Sequence, residues 1–360
     1  MTDVFLFFYK GENKMSKILI ALLIISCFAS MSAALENDTR VFKIDPDIKV
    51  EKVHFHNRYG IDLTGDLYMP KDFDLSADRH GTKKKYAALA VAGPFGAVKE
   101  QVSGLYAQEM AKAGFVALAF DPSFTGESGG AVRDTSSPEI NTEDFSAAVD
   151  FLATRDFVDA EKIGIIGVCG WGGIALNAAA ADTRIKATVA STMYNMSRVA
   201  ANGYFDADDS AEKRAAARKA LNAQRIEDYK KGTYAKAGGV IDPLPDDAPQ
   251  FVKDYYAYYK TPRGYHKRSV NSNAGWTVTS SLAMVNMPML AFIGEIETPV
   301  LVVHGEKAHS RYFSEDAFKM LKGDNKELMI IPGASHVDLY DNLEKIPVAK
   351  IVSFFKENLK

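Results

Sequence analysis

The run Ile163-Gly164-Ile165-Ile166-Gly167-Val168-Cys169-Gly170-Trp171-Gly172-Gly173 sets a thiol at the end of an apolar stretch and among glycines. A helix-forming segment, Ile174 to Ala181, follows at once. Strand, sharp turn and helix are the context in which a nucleophile is held on a strained turn over the end of a parallel sheet. Glycines suit that turn because the strand and helix backbones come too close for a Cβ. The chemistry implied is attack by a thiol on an acyl carbonyl.

Such chemistry needs a base, a group to orient it, and donors for the oxyanion. The base is expected at His336, in Ile331-Pro332-Gly333-Ala334-Ser335-His336, on a glycine-containing loop between the last apolar run and the closing helix. His54, His56, His80 and His266 sit in less suitable places. His304 ends an apolar run and reads as a structural hydrogen-bonder, and His309 is a weaker rival for the base. For the oxyanion, Gly170 follows the nucleophile and offers one backbone N–H. A second is expected from Gly93-Pro94-Phe95-Gly96, and Pro94 has none to give, so Phe95 is assigned. The orienting acid is expected in His304-Gly305-Glu306-Lys307-Ala308-His309, where Glu306 is the one carboxylate. Asp338, two residues past His336, is a second location for it.

These residues need a scaffold. Lys49 to Phe55 and Ile61 to Tyr68 alternate apolar and polar residues and predict a hairpin turning near Asn57-Arg58-Tyr59-Gly60. Tyr86 to Ala92, Phe115 to Phe120, Ile163 to Val168, Ile185 to Ser191, Val300 to His304 and Leu328 to Ile331 are continuous apolar runs, as in strands buried on both faces. Helices are predicted over Tyr106 to Ala113, Phe145 to Ala153 and Ile346 to Asn358. Strands alternating with helices imply an α/β chain with a mostly parallel sheet. Residues 200–297 break the rhythm with a charged helical stretch (Ala211 to Lys231), the break Asp242-Pro243-Leu244-Pro245 and the aromatic run Asp254-Tyr255-Tyr256-Ala257-Tyr258-Tyr259. An insertion of that length reads as a helical cap over a site. The expected organisation is thus a core of 35–199 and 298–360 with a cap of 200–297.

At 360 residues and 47% hydrophobic composition the chain can bury a large core. A net charge of −3 leaves no basic footprint for nucleic acid. No cluster has metal-ligand spacing, and Gly126-Glu127-Ser128-Gly129-Gly130 lacks the lysine of a phosphate loop. The expected partner is a small acyl substrate, with no cofactor, no metal and no membrane span in the mature chain. Residues 1–34 are a targeting segment: Met15 reads as the genuine start, Ile18 to Ala29 as the apolar stretch, and Ser32-Ala33-Ala34 as the cleavage site. The expected destination is the periplasm or the medium. Ile24-Ile25-Ser26-Cys27 also fits a site that would leave Cys27 lipid-anchored. Cys27 and Cys169 are the two cysteines, so cleavage after Ala34 leaves a single thiol.

Residues 50–360 resemble the α/β-hydrolases, and more closely the Cys-type, dienelactone-hydrolase-like bacterial members related to fungal polyketide transferases. Gly93-Pro94-Phe95-Gly96 with Val98-Lys99-Glu100-Gln101, Asp121-Pro122-Ser123-Phe124-Thr125-Gly126-Glu127-Ser128, the cysteine turn, His304-Gly305-Glu306-Lys307 and His336-Val337-Asp338-Leu339-Tyr340 carry the resemblance. It implies an α/β-hydrolase fold and hydrolysis of an ester, thioester or lactone. Two departures stand out. Trp171 occupies a position that is usually glycine, which is expected to reshape the oxyanion pocket. Ala308 stands where the family's acid is usually Asp. Rival readings are a peptidase, an acyltransferase, and a non-catalytic binding protein on the same fold.

Overall fold

The computed structural model describes residues 38–76 and 84–360. Residues 1–34, read from the sequence as a targeting segment and including Cys27, lie outside the described residues, as does His80. Two compact units are distinguished, Met1–Arg40 and Val41–Lys360. Of the first, residues 38–40 are described, where Arg40 pairs with Asp38 at 2.8 Å. Every element below belongs to the second.

Eight strands form one sheet: β1 (Lys49–His56), β2 (Asp62–Met69), β3 (Tyr86–Ala92), β4 (Val116–Phe120), β5 (Val158–Val168), β6 (Ala187–Ser191), β7 (Val300–Gly305) and β8 (Lys326–Ile331). Their order is β1-β2-β4-β3-β5-β6-β7-β8. β1 pairs antiparallel with β2, and β2 with β4; every other pairing is parallel. This is the α/β architecture that the apolar runs predict. The central strands β4 and β6 are buried throughout and β3 at all but Ala87, as in strands covered on both faces, with Thr188 and Ser191 of β6 the polar exceptions to their apolar composition.

The helices are α1 (Val102–Lys112), α2 (Pro138–Ala153), α3 (Gly170–Ala181), α4 (Met196–Asn202), α5 (Ala211–Lys231), α6 (Gln250–Tyr259), α7 (Ser281–Asn286), α8 (Arg311–Met320), α9 (Asp338–Asp341) and α10 (Val348–Asn358). α2 starts seven residues before the predicted Phe145. Ser137 caps it by accepting from the Ile140 N–H, and Pro138 takes the first helical position, a start signal independent of hydrophobic periodicity. α8 was not expected from the sequence; its apolar stripe is confined to Phe313, Ala317 and their neighbours.

Between β6 and β7 the described chain is helical. α5 is mostly solvated and rich in Ala, Lys, Arg and Glu, so propensity rather than burial carries it. Ser210 caps its start by accepting from the Lys213 N–H, and Gly232, at φ 64°, ends it in the left-handed region. α6 is different: Tyr258 and Tyr259 are buried, and Tyr255 reaches the ring of His336 at 5.5 Å.

Candidate active site

β5 runs into Cys169, whose backbone takes φ 60° and ψ −127°, a strained conformation for a residue with a Cβ. Three backbone hydrogen bonds hold it there. The Cys169 N–H donates to the Ser191 carbonyl, and its carbonyl accepts from the N–H groups of Gly172 and Tyr194, each at 2.9 Å. Gly170 is required by space, since a Cβ there would come within 2.6 Å of Phe95 Cβ and 2.9 Å of Met196 Sδ. Trp171 does not reshape the pocket as its position led one to expect. Its ring is buried on the core side, edge-on to Phe120 and Phe145 at 5.9 and 5.4 Å.

The Cys169 sulfur is buried, and burial pushes its thiol pKa up. The Tyr340 hydroxyl and the backbone N–H groups of Gly170 and Phe95 act on the sulfur in the opposite sense, favouring thiolate. The two N–H groups assigned to the oxyanion from the sequence therefore converge on the nucleophile candidate. Segment 269–276 fixes the Phe95 loop. Asn271 Nδ2 donates to the Phe95 carbonyl at 2.8 Å, Ser269 Oγ and the Asn271 N–H donate to the Gly96 carbonyl, and Trp276 stacks on Phe95 at 4.3 Å. From below, Lys99 ties the same loop down. Its backbone N–H donates to Asp121 at 2.8 Å, and its ammonium reaches Glu100 at 2.6 Å, Asp121 at 3.3 Å and Glu127. Burial works against that ammonium, but Asp121 and Glu100 overcome it and leave the lysine firmly charged.

His336 is 2% exposed. Its Nε2 lies 3.2 Å from the Tyr340 hydroxyl, so Tyr340 stands between the imidazole and the sulfur. Its Nδ1 lies 2.6 Å from Ser310 Oγ and 2.9 Å from Thr192 Oγ1. Burial, with His304 and His309 nearby, pushes the His336 pKa well below the usual imidazole value. Thiol and imidazole therefore both rest neutral near pH 7.

Glu306 is not the orienting group. Its side chain is exposed and accepts from the Gly333 N–H at 2.7 Å, while both nitrogens of His336 are engaged elsewhere. The strand-end loop faces solvent at Glu306 and turns inward only at Ala308 and Ser310. Asp338 does not take its place; it accepts from the Ser335 N–H at 2.7 Å and shapes the loop that carries His336. His304 is buried and bonded to Ser310 and Ser314. His309 stacks on Phe251 at 4.2 Å and bonds the Tyr194 hydroxyl, so its ring packs rather than serving the sulfur. The sequence reading missed Tyr340, Ser310, Thr192 and Asn271. Of these, only Tyr340 had a signal, the i, i+4 spacing from His336.

A cavity of about 300 Å³ opens over Cys169. Phe95, Trp276, Met196, Met284, Tyr194, Tyr204, Tyr255 and Tyr259 are among its walls, and none of its lining residues is charged. A larger hollow of about 1000 Å³ between α5 and α7 contains none of these groups.

Residues 60–338 match the X-Pro dipeptidyl-peptidase (S15 family) model. The chain belongs to the S15 family. Its similarity to PA2218 of Pseudomonas aeruginosa is 53% identity over 89% of this chain and 84% of that one. The crystal structure of PA2218 superposes with a TM-score of 0.83 at 52% identity, over 89% of this chain and 97% of that one. A shorter stretch is 36% identical to the thiohydrolase aneE of Aspergillus aculeatus, over 38% of this chain and 39% of that one. The α/β hydrolase GrgF from Penicillium sp. shares the fold at a TM-score of 0.69 and 20% identity, over 86% of this chain and 99% of that one. The S15 chain described here is thus an α/β-hydrolase by fold and a member of a hydrolase family by sequence.

Proposed function

We propose that this protein hydrolyses an ester, thioester or lactone through a covalent intermediate on Cys169. The observation that carries the reading is the convergence of the Phe95 and Gly170 N–H groups and the Tyr340 hydroxyl on one sulfur, with His336 behind Tyr340. In the first step the thiol proton passes to the Tyr340 oxygen while the Tyr340 proton moves to His336 Nε2. The sulfur electron pair bonds to the acyl carbon, and the carbonyl oxygen takes the negative charge in front of the two N–H groups. Collapse of that intermediate breaks the bond to the leaving group, which takes the proton from His336. Water, deprotonated by His336, then attacks the thioester, releasing the acid and restoring the thiol.

An uncharged cavity walled by aromatic rings favours a neutral acyl group. It offers no carboxylate to pair with a free peptide amine, so the peptidase chemistry in the family's name is the weaker reading. The name of the aneE relative supports a thioester among the substrates. Membership of a Cys-type, dienelactone-hydrolase-like subgroup, and export after cleavage at Ala34 or anchoring at Cys27, belong to the same reading. The N-terminal residue of the protein recovered from its native host tests the export.

The direct test is hydrolysis of a short-to-long series of p-nitrophenyl esters by residues 35–360 beside Cys169→Ala. Turnover that disappears in the variant supports the thiol mechanism, and the chain-length profile measures the cavity. Full turnover in Cys169→Ala overturns it.

A further inference from the structure

We infer that Ser310, backed by His304, occupies the place of the triad acid, so that His336 is oriented by a chain of neutral groups with no carboxylate. This rests on the thiol-hydrolase reading for its catalytic meaning; the hydrogen-bond geometry stands without it. Ser310 Oγ lies 2.6 Å from His336 Nδ1 and 3.0 Å from His304 Nε2, and His304 Nδ1 lies 2.6 Å from Ser314 Oγ. Ser310, His304 and Ser314 are each 0% exposed. These distances make one continuous chain from α8 through β7 to the imidazole.

The protons in the chain can be assigned from their partners. His336 Nε2 must be bare to receive a proton from Tyr340, so Nδ1 carries the hydrogen and donates it to Ser310 Oγ. The Ser310 hydroxyl then donates to His304 Nε2, and His304 Nδ1–H donates to Ser314 Oγ. Thr192 Oγ1, at 2.9 Å, is a second acceptor for Nδ1–H, and its own hydroxyl donates to the His336 carbonyl. The Nδ1–H is thus shared between two acceptors, and the hydrogen bonds along Ser310, His304 and Ser314 run in one consistent direction. Fixing the tautomer is one of the two tasks of a triad acid; stabilising the imidazolium is the other. Neutral hydroxyls perform the first and only part of the second.

The surroundings agree. From β7, His304 faces His336; from the loop into α8 comes His309 and from the start of α8, beside His304, Arg311; after β6 come Thr192 and Tyr194; α6 supplies Tyr255 and α9 Tyr340; Cys169 completes the set. None is a carboxylate. The carboxylates nearest in sequence are spoken for: Glu306 by the Gly333 N–H, Asp338 by the Ser335 N–H, and Asp341 by Arg263 at 2.6 Å.

The test has two readouts. In the first, kcat and KM for a p-nitrophenyl ester are followed from pH 4 to 9 for the wild type, Ser310→Ala and Ser310→Asp. The wild type is expected to keep its activity well below pH 6.5. Ser310→Ala should lower kcat roughly tenfold with KM unchanged. Ser310→Asp puts a negative charge against the imidazole and should move the acid limb up by about one pH unit or more. A Ser310 that only packs would leave kcat and the Nδ1 tautomer unchanged in Ser310→Ala. The second readout does not require hydrolysis. The ¹⁵N shifts of the His336 ring, identified by their loss in His336→Gln, should show a neutral ring protonated at Nδ1 at pH 6 in the wild type and a doubly protonated ring in Ser310→Asp. If Ser310→Asp does not fold by circular dichroism, Ser310→Ala decides. Full kcat with an unchanged Nδ1 tautomer in that variant overturns the inference, as does a wild-type ring protonated at Nε2. Loss of ester turnover in the wild type with the ring signature intact would instead remove only the thiol-hydrolase reading.

Discussion

Two buried polar regions flank the oxyanion loop, and they are built from opposite materials. Beneath the loop, Lys99, Glu100, Asp121, Glu127 and Arg268 form a network of full charges, with Asp144 close by holding Ser123 and Asn57. Around His336 there are only hydroxyls, phenols and neutral imidazoles. The first region is locked: its charges are paired, and the pairs set where Phe95 presents its N–H. The second holds no carboxylate against His336, and its hydroxyls, phenols and imidazoles can each both donate and accept. The contrast teaches that the charged signature residues Lys99, Glu100, Asp121 and Glu127 hold the geometry of the Phe95 loop, while the groups to which the proposed mechanism gives the chemistry form a neutral hydrogen-bonded chain.

The contrast is broken most severely from the charged side. Lys99→Met leaves buried carboxylates unpaired and should cost about 3–5 kcal/mol in urea unfolding. A loss under 1 kcal/mol would mean that the network is solvated and does not anchor the loop.

Acid should strain the neutral region next. Burial depresses His304 to about 3 and His309 to about 4, and in the charged region it depresses His266 to about 4. The unfolded chain protonates these rings near pH 6.5 while the folded chain does not, so stability falls with pH from 6.5 downward, by up to about 2 kcal/mol for each ring at pH 5. Asp121 and Asp144 work the other way. Burial raises both to about 6, and the folded chain gains protons at them between pH 6 and 4. His336, held well below 6.5 by burial, adds in the same sense, and the net expectation is a loss of roughly 3–5 kcal/mol between pH 7 and 5, read by urea titration at each pH. Equal stability at both would show the histidines to be hydrated.

Tyr340→Phe probes the link between the regions' products, the oriented sulfur and the poised imidazole. It removes the hydroxyl that touches both, and kcat should fall roughly 10- to 100-fold with the fold intact. The smallest effect is expected at the acid the sequence suggested: Glu306→Gln should keep kcat within about twofold. A large loss there would return Glu306 to the site and undo the contrast.

The sequence made some of this legible and hid the rest for physical reasons. Cys169, Gly170 and Phe95 sit at strand ends, where an apolar run followed by a glycine-bounded turn fixes both position and direction, and the structure brings their groups together. His336 was readable by its place after the last apolar run. The orienting group was not readable. Ser310 and Thr192 are ordinary loop hydroxyls with no spacing rule, and they become partners of Nδ1 only through the packing of α8 and the β6 exit around one ring. A search for a carboxylate led to Glu306, which the same loop turns toward solvent. Asn271 and Trp276 were hidden by distance, reaching Phe95 across more than a hundred residues of chain.

The central claim, a covalent acyl intermediate on Cys169, is tested most directly by intact-protein and peptide mass spectrometry of enzyme acid-quenched during turnover of a slowly hydrolysed p-nitrophenyl ester. The account predicts a mass gain equal to the acyl group, on the peptide that contains Cys169 and absent from Cys169→Ala. Turnover without any adduct on that peptide, or an adduct on another residue that persists in Cys169→Ala, would contradict it.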